Sequence, residues 1–197
     1  MDGDTRDTIR AVALELFSTK GFEQTSLREI AERVGLTKAS LYYHYPSKQA
    51  LLIAVVEPVI TGWRAIADDT ASLRNTPGNV RQVVERCLDV LLRNRAVAGI
   101  FQRDPAGVAV VARSLWEDSL ALGRQLVDWL GGPAPAPAQR LRAIAAMEVL
   151  GAVLTSPTYY PDDEFTDAEM RDVLLQAALD VLRLPAEPGE SQMRNVG

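Results

Sequence analysis

Positions 38 to 44 read Lys-Ala-Ser-Leu-Tyr-Tyr-His, a run whose side chains, Leu41 apart, are small, cationic or hydrogen-bonding. Lys38 can donate to a guanine edge, Ser40 can serve any base pair, and the Ala39 methyl can touch a thymine methyl. Tyr43 and His44 add polar groups at the far end of the run. Such chemistry suits base edges in the major groove, provided that the run is a helix with these residues outward. On either side stand anion-holding candidates. Thr25, Ser26 and Arg28 lie at one expected helix N-terminus, and Ser47 with Lys48 at another, where free backbone N–H groups favour phosphate. Phosphate contacts of this kind fix register without reading sequence.

The flanking sequence supplies the elements that would hold these residues. Ile9, Val12, Ala13, Leu16 and Phe17 recur at helical spacing and predict a first helix from Thr8 to Lys20. Gly21 supplies a left-handed stop, with Phe22 spaced to pack back on Phe17. Ser26-Leu27-Arg28-Glu29 has the form of a capping box, and Leu27, Ile30, Ala31 and Val34 form the buried stripe of a short second helix ended by Gly35. Thr37 can cap a third helix through about His44, with Leu41 inward, before Pro46 forbids continuation; it joins the candidate DNA contacts. Two short helices joined by Gly35-Leu36-Thr37 and backed by an amphipathic first helix are the organisation of a helix-turn-helix head, whose second helix is the reader.

Residues 48 to 184 read as a helical body. Ser47 caps a fourth helix, whose residues 48 to 62 link head to body, with Leu51, Leu52, Val55, Val59 and Trp63 inward and a kink or break at Pro58. After a turn signal at Thr76-Pro77-Gly78-Asn79, the residues Val80, Val83, Val84, Cys87, Leu88 and Leu91 make a further stripe. Asp104-Pro105 has the form of a cap opening a long helix to about Leu130, closed by Gly131-Gly132. A helix over about 138–154 is apolar on nearly every side and is expected to be covered on all of them. Thr166-Asp167-Ala168-Glu169 is a second capping box, opening a helix over about 167–184 with Met170, Val173, Leu174, Ala177, Val181 and Leu182 on one face. The Pro-, Gly- and Glu-containing residues 185–197 are expected to be a disordered tail. No strand pattern is present, so the fold class is all-α.

Phe17, Gly21, Phe22, Thr25-Ser26-Leu27-Arg28-Glu29-Ile30-Ala31, Val34-Gly35-Leu36 and Leu41-Tyr42-Tyr43-His44-Tyr45-Pro46-Ser47-Lys48 together resemble the N-terminal signature of TetR-family regulators. About a quarter of the chain is covered, and Tyr45 stands where that family commonly has Phe. The resemblance implies a TetR-like homodimeric repressor, released from a palindromic double-stranded DNA operator when a small molecule binds in the body. It also brings the Tyr42 hydroxyl within reach of a phosphate. Dimerisation is expected through the helices near 138–154 and 167–184, which carry surplus apolar surface and can form a four-helix bundle about a two-fold axis.

Composition fits this reading. Residues 1–50 hold seven basic and seven acidic residues, so the net charge of −5 lies entirely beyond them and does not argue against a nucleic-acid partner. The single Cys87, buried by its pattern, points to a small hydrophobe, and a cytoplasmic location is expected. The most apolar stretch, Ala143 to Leu154, falls short of the ~20 residues of a membrane span. Trp63, Phe101 and Trp116 are candidates to line an apolar ligand pocket, with Trp129 considered beside them. Glu148 has no helical ion-pair partner three or four positions away, and is expected to be a buried carboxylate that anchors a ligand or bonds across the dimer. Asp162-Asp163-Glu164 is read as a solvated loop rather than a metal site. No catalytic motif, metal or cofactor is expected. The rival reading is a helical small-molecule-binding protein or enzyme whose head has no operator.

Overall fold

A computed structural model describes residues 2–104, 120–159 and 164–182 of the chain, and every regular element among them is a helix. In chain order these are α1 (Asp2–Lys20), α2 (Leu27–Val34), α3 (Lys38–His44), α4 (Lys48–Thr70), α5 (Pro77–Arg93), α6 (Ala96–Arg103), the helical residues 120–130 (α7), α8 (Pro137–Leu150), α9 (Ala152–Tyr159) and α10 (Asp167–Leu182).

The first three helices pack around one apolar cluster. Ile9, Ala13, Leu16 and Phe17 of α1 meet Leu27, Ile30 and Ala31 of α2 and Leu41 of α3, all buried. Phe22 returns to Phe17 edge-on, ring centroids 5.3 Å apart. Gly35 ends α2 in the left-handed region at φ 77°, where a Cβ would be strained, and the next N–H, of Leu36, closes back on the Ala31 carbonyl at 2.8 Å. That turn sets the angle at which α3 leaves α2. The predicted caps form: Ser26, Thr37 and Ser47 each accept a hydrogen bond from the backbone N–H three residues on.

The second cluster joins α4, α5, α7, α8, α9 and α10 through Ile66, Val83, Val84, Cys87, Leu88, Leu126, Ala146, Leu150, Val153 and Ala178. α4 belongs to both. Its Leu51, Leu52, Val55 and Val56 lie in the first cluster, Ile66 and Ala67 in the second, and Val59 and Ile60 touch both. By length and composition α4 alone among the described helices would suffice to cross a bilayer, where the sequence suggested no such stretch. Its apolar residues are spent on these two interiors.

Several expectations change. α1 begins at Asp2, six residues before the predicted Thr8, because Asp4 and Asp7 place negative charge in the first turns, where the helix dipole favours it. α4 is not broken at Pro58 but runs on to Thr70. One missing backbone bond costs ~3 kcal/mol, and burial of several large side chains at ~1.5–3 kcal/mol each on both sides outweighs it. Thr76-Pro77-Gly78-Asn79 is not a free turn but the cap and first turn of α5, with the Thr76 hydroxyl accepting from the Asn79 N–H. Asp104 ends α6 rather than only preceding another helix, and residues 105–119 lie outside the described part. The helix predicted over 138–154 is two, divided at Gly151. It is also not covered on every side, since Leu141 and Ile144 are 65% and 45% exposed. On α10 the buried residues are Met170, Leu175 and Ala178, whereas Val173, on the predicted apolar face, is 65% exposed. The tail 185–197 lies outside the described residues, as do Asp162 and Asp163.

Candidate nucleic-acid interface

α3 is a seven-residue helix fixed to the head by Leu41, which is fully buried, and by Tyr45 just beyond its end. At 3.6 residues per turn this inward anchoring sorts the remaining side chains. Ala39 and Tyr43 face outward, Tyr43 being 80% exposed. Lys38 and Tyr42 share one flank, Ser40 and His44 the other. Lys38 Nζ lies 5.6 Å from the centre of the Tyr42 ring, and the Tyr43 and His44 rings meet edge-on at 5.4 Å. The outer surface is thus a short array of donors and acceptors on one two-turn helix.

Beside the Lys38 and Tyr42 flank is an open cleft of about 490 Å³. Gln24, Thr25, Ser26 and Arg28 form one wall, Ser47, Lys48 and Gln49 the other. The N-termini of α2 and α4 both open here, so unpaired backbone N–H groups and positive helix ends face the same space. A phosphate fits that chemistry.

The predicted contact residues divide by what their polar atoms already do. Ser26, Thr37 and Ser47 accept cap bonds and keep a hydroxyl proton to donate. Thr25 is buried, its hydroxyl donating toward the Gly21 carbonyl at 2.8 Å and the Leu16 carbonyl at 3.3 Å, so it shapes the loop below the cleft. Lys48 Nζ donates to the Phe22 and Glu23 carbonyls at 2.8 and 3.2 Å and lies over the Phe22 ring, which ties the N-terminus of α4 to the α1–α2 loop. One of its three protons remains. Arg28 Nε donates to Glu32 at 2.7 Å, and that hydrogen bond, with the carboxylate charge, raises its pKa. An incoming phosphate would compete with Glu32 for it.

Four polar residues here were not read from the sequence, one of them Glu23, which also lines the cleft. Gln24 and Gln49 line the cleft and gave no signal beyond adjacency to the capping residues. Arg6, on the extra first turns of α1, donates from Nη2 to the His44 carbonyl at 3.3 Å and lies 5.3 Å from the centre of the Tyr45 ring. It was missed because the first helix was begun at Thr8.

Of the four body candidates, Trp63 and Glu148 have their side chains among the described residues. Trp63 stands on α4 with Nε1 buried and no acceptor for its N–H among the described residues. Trp129 is accounted for, since its Nε1 donates to the Leu73 carbonyl at 3.2 Å. Phe101 is on α6, its side chain outside the described part, and Trp116 lies outside it altogether. Glu148 is exposed on α8, contrary to the expected burial, one helical stripe with Leu141 and Ile144. No cluster of metal-ligating side chains occurs among the described residues.

Comparison with known proteins places this head. The sequence pattern of bacterial regulatory proteins of the tetR family matches residues 9–55. The HTH-type transcriptional regulator RutR of Escherichia coli (strain K12) is 37% identical over 84 residues, covering 41% of this chain and 40% of the relative, so the match spans less than half of that protein. The HTH-type transcriptional regulator TcmR of Streptomyces glaucescens is 26% identical over 189 residues, or 91% of this chain and 83% of the relative. Among solved structures, a transcriptional regulator from Aquifex aeolicus VF5 superposes with a TM-score of 0.70 over 88% of this chain and 96% of its own at 23% identity, a likeness of fold. The tetR-family match thus covers the helix-turn-helix head, and over the helical body the likeness to solved structures is one of fold.

Proposed function

We propose that the chain is a dimeric, sequence-specific repressor that works in the cytoplasm and is released from a palindromic operator by a small molecule. The observation that carries the DNA reading is the pairing of an outward-facing α3 with the cleft beside it. Ala39, Ser40, Tyr43 and His44, with Lys38, are offered to base edges. Arg28, Ser26, Ser47, Lys48 and the Tyr42 hydroxyl are offered with two helix N-termini to one phosphate run. Thr25 and Thr37 act here by holding the loop and capping the reader. Head and body divide near position 47, where Ser47 opens α4.

Dimerisation is assigned to α8 and α10. In the single chain Leu141, Ile144 and Val173 expose apolar surface that a second copy would cover, and Glu148 on the Leu141 stripe would bond across the two-fold axis. The ligand is assigned to the body, as an apolar molecule bearing a hydrogen-bond acceptor. Support comes from the buried Trp63 N–H, since an unsatisfied buried donor costs ~1–3 kcal/mol and an acceptor on a ligand would recover it.

The test is selection from a random pool of duplex DNA by the purified protein at fixed salt. Enrichment of a palindrome with half-site centres ~34–36 Å apart, or a multiple, is the expected result. A folded dimer that enriches nothing would overturn the DNA reading and favour a helical binding protein without an operator. Affinity for the operator unchanged by every bound ligand would sink induction while sparing DNA binding.

A further inference from the structure

α3 ends after only two turns, and its carbonyl ends point at the residues that follow. Of the last four carbonyls, that of Leu41 accepts from the Tyr45 N–H at 2.9 Å. The His44 carbonyl accepts from Arg6, a residue 38 positions earlier in the chain. The same guanidinium lies over the Tyr45 ring, and that ring is only 4% exposed, so it is a fixed surface. A planar cation is therefore held by two features at once, a helix carboxyl end and an aromatic face, both of which favour it. The opposite flank of α3 has Lys38 and Tyr42 over the cleft described above. On the His44 flank, Arg6 braces the end of the helix.

We propose that Arg6 is a positioning residue of the DNA reader: by tying the carboxyl end of α3 to α1 it sets where Tyr43 and His44 meet the bases. The consequence follows from the helix length. A seven-residue helix has too few internal bonds to resist fraying, since isolated helices need ~12–15 residues even to be marginal. Its last turn carries two of the outward groups. If that turn frays, Tyr43 and His44 lose their places while Lys38, Ala39 and Ser40 keep theirs, because Thr37 caps their end by accepting from the Ser40 N–H at 3.1 Å. Arg6 therefore acts on discrimination at one edge of each half-site. A phosphate contact by the same residue would act on affinity for all DNA alike.

This rests on the DNA reading proposed above, and the experiment separates the two. Affinities of the full-length protein and of Arg6→Ala and Arg6→Lys are measured on the selected operator, on its single-base variants and on unrelated duplex, over a range of salt. Unchanged helical circular dichroism confirms folding, and the lysine variant retains charge in case the alanine variant does not fold. For both variants the expected loss on the operator is roughly tenfold, with unrelated duplex unaffected and the salt slope preserved. Base preference flattens only at the positions that His44→Ala also flattens. Three results would overturn the proposal: no loss; an equal loss on every sequence, with a slope shallower by about 0.9 per half-site; or full rescue by lysine, which would make Arg6 a charge and not a brace. If the unaltered protein selects no sequence, the DNA reading falls and this inference falls with it.

Discussion

Cys87 is the one thiol of the chain and sits fully buried on α5, which packs against α4 and α10. Burial pushes its pKa from 9.0 up to about 12, with the nearby Arg86 charge offsetting a little of that rise. A thiol held protonated inside an apolar cluster is a poor nucleophile, so Cys87 is a small hydrophobe and not a redox sensor. Two outcomes are expected. A thiol reagent such as Ellman's at pH 8 modifies the native protein no faster than it unfolds, and modifies the protein at once in denaturant. Because the folded state holds the proton more tightly than the unfolded one, this contribution is complete below pH 9.0 and is lost as pH rises toward about 12. Stability should fall across that window by about 1.4 kcal/mol per pH unit more than in Cys87→Ala. Equal pH slopes for the two proteins would refute the assignment. The cleft of the head shows the same principle for Lys48 and Thr25: a polar residue at a site can be spent inward. Sequence spacing located both residues beside the reader but gave no means of seeing that their polar atoms were engaged by the α1–α2 loop.

The close approach of α4 and α5 is set at Gly62, where an added Cβ would come within 2.8 Å of Val90 Cγ2 and 3.0 Å of its Cγ1. Gly62→Ala should therefore spread the two helices despite the better helix propensity of alanine, with a net loss of roughly 1–2 kcal/mol by chemical denaturation. Val90→Ala in the same chain removes the obstructing methyl groups and should return most of that loss; additive destabilisation would show that no clash existed. Legibility in the sequence follows the same division between local and tertiary causes. The caps at Ser26, Thr37 and Ser47, the stop at Gly35 and the inward Leu41 were readable because each depends on residues three or four positions away. The continuity of α4 through Pro58 was not, because what outweighs the proline is packing on two different clusters. α6 went unread for a similar reason: its inward residues Val97 and Ile100 make too short a stripe to stand out, and they are held by α1. The candidate DNA residues were largely legible, since their helix is local; Arg6 was not, since its partners are 38 and 39 positions away. The aromatic ligand candidates were chosen by residue type and Glu148 by the lack of a partner on its own helix, and neither signal reports on tertiary neighbours.

Taken as a whole molecule, the chain divides its charge and its apolar surface between its ends. Residues 1–50 are neutral overall and the acidic excess lies in the remainder, which keeps repulsion away from the reading face. α10 is tied to the rest by the half-buried pair of Arg171 with Asp89 of α5 and by the more exposed pair of Arg95 with Asp167 at 2.9 Å, the latter contributing little stability. The sequence placed Val173 on one apolar face of a helix with surplus apolar surface, without dividing that surface between the interior and a second copy. A helix that serves both its own body and a second copy has two apolar sides, and the pattern cannot say which is which. On this account Leu141, Ile144 and Val173 are covered only when two chains meet. Ile144→Asp would then bury a charge at the two-fold axis and should give a folded monomer by sedimentation equilibrium, with Leu120→Glu, on the exposed side of α7, remaining a dimer. Two linked heads bind a palindrome more tightly than one by ~10²–10⁴ through effective concentration. Operator affinity of the Ile144→Asp monomer should fall within that range while affinity for an isolated half-site stays unchanged. A variant that remains dimeric would move the interface off α8, and a monomer that still held the full operator would mean that each head reads alone.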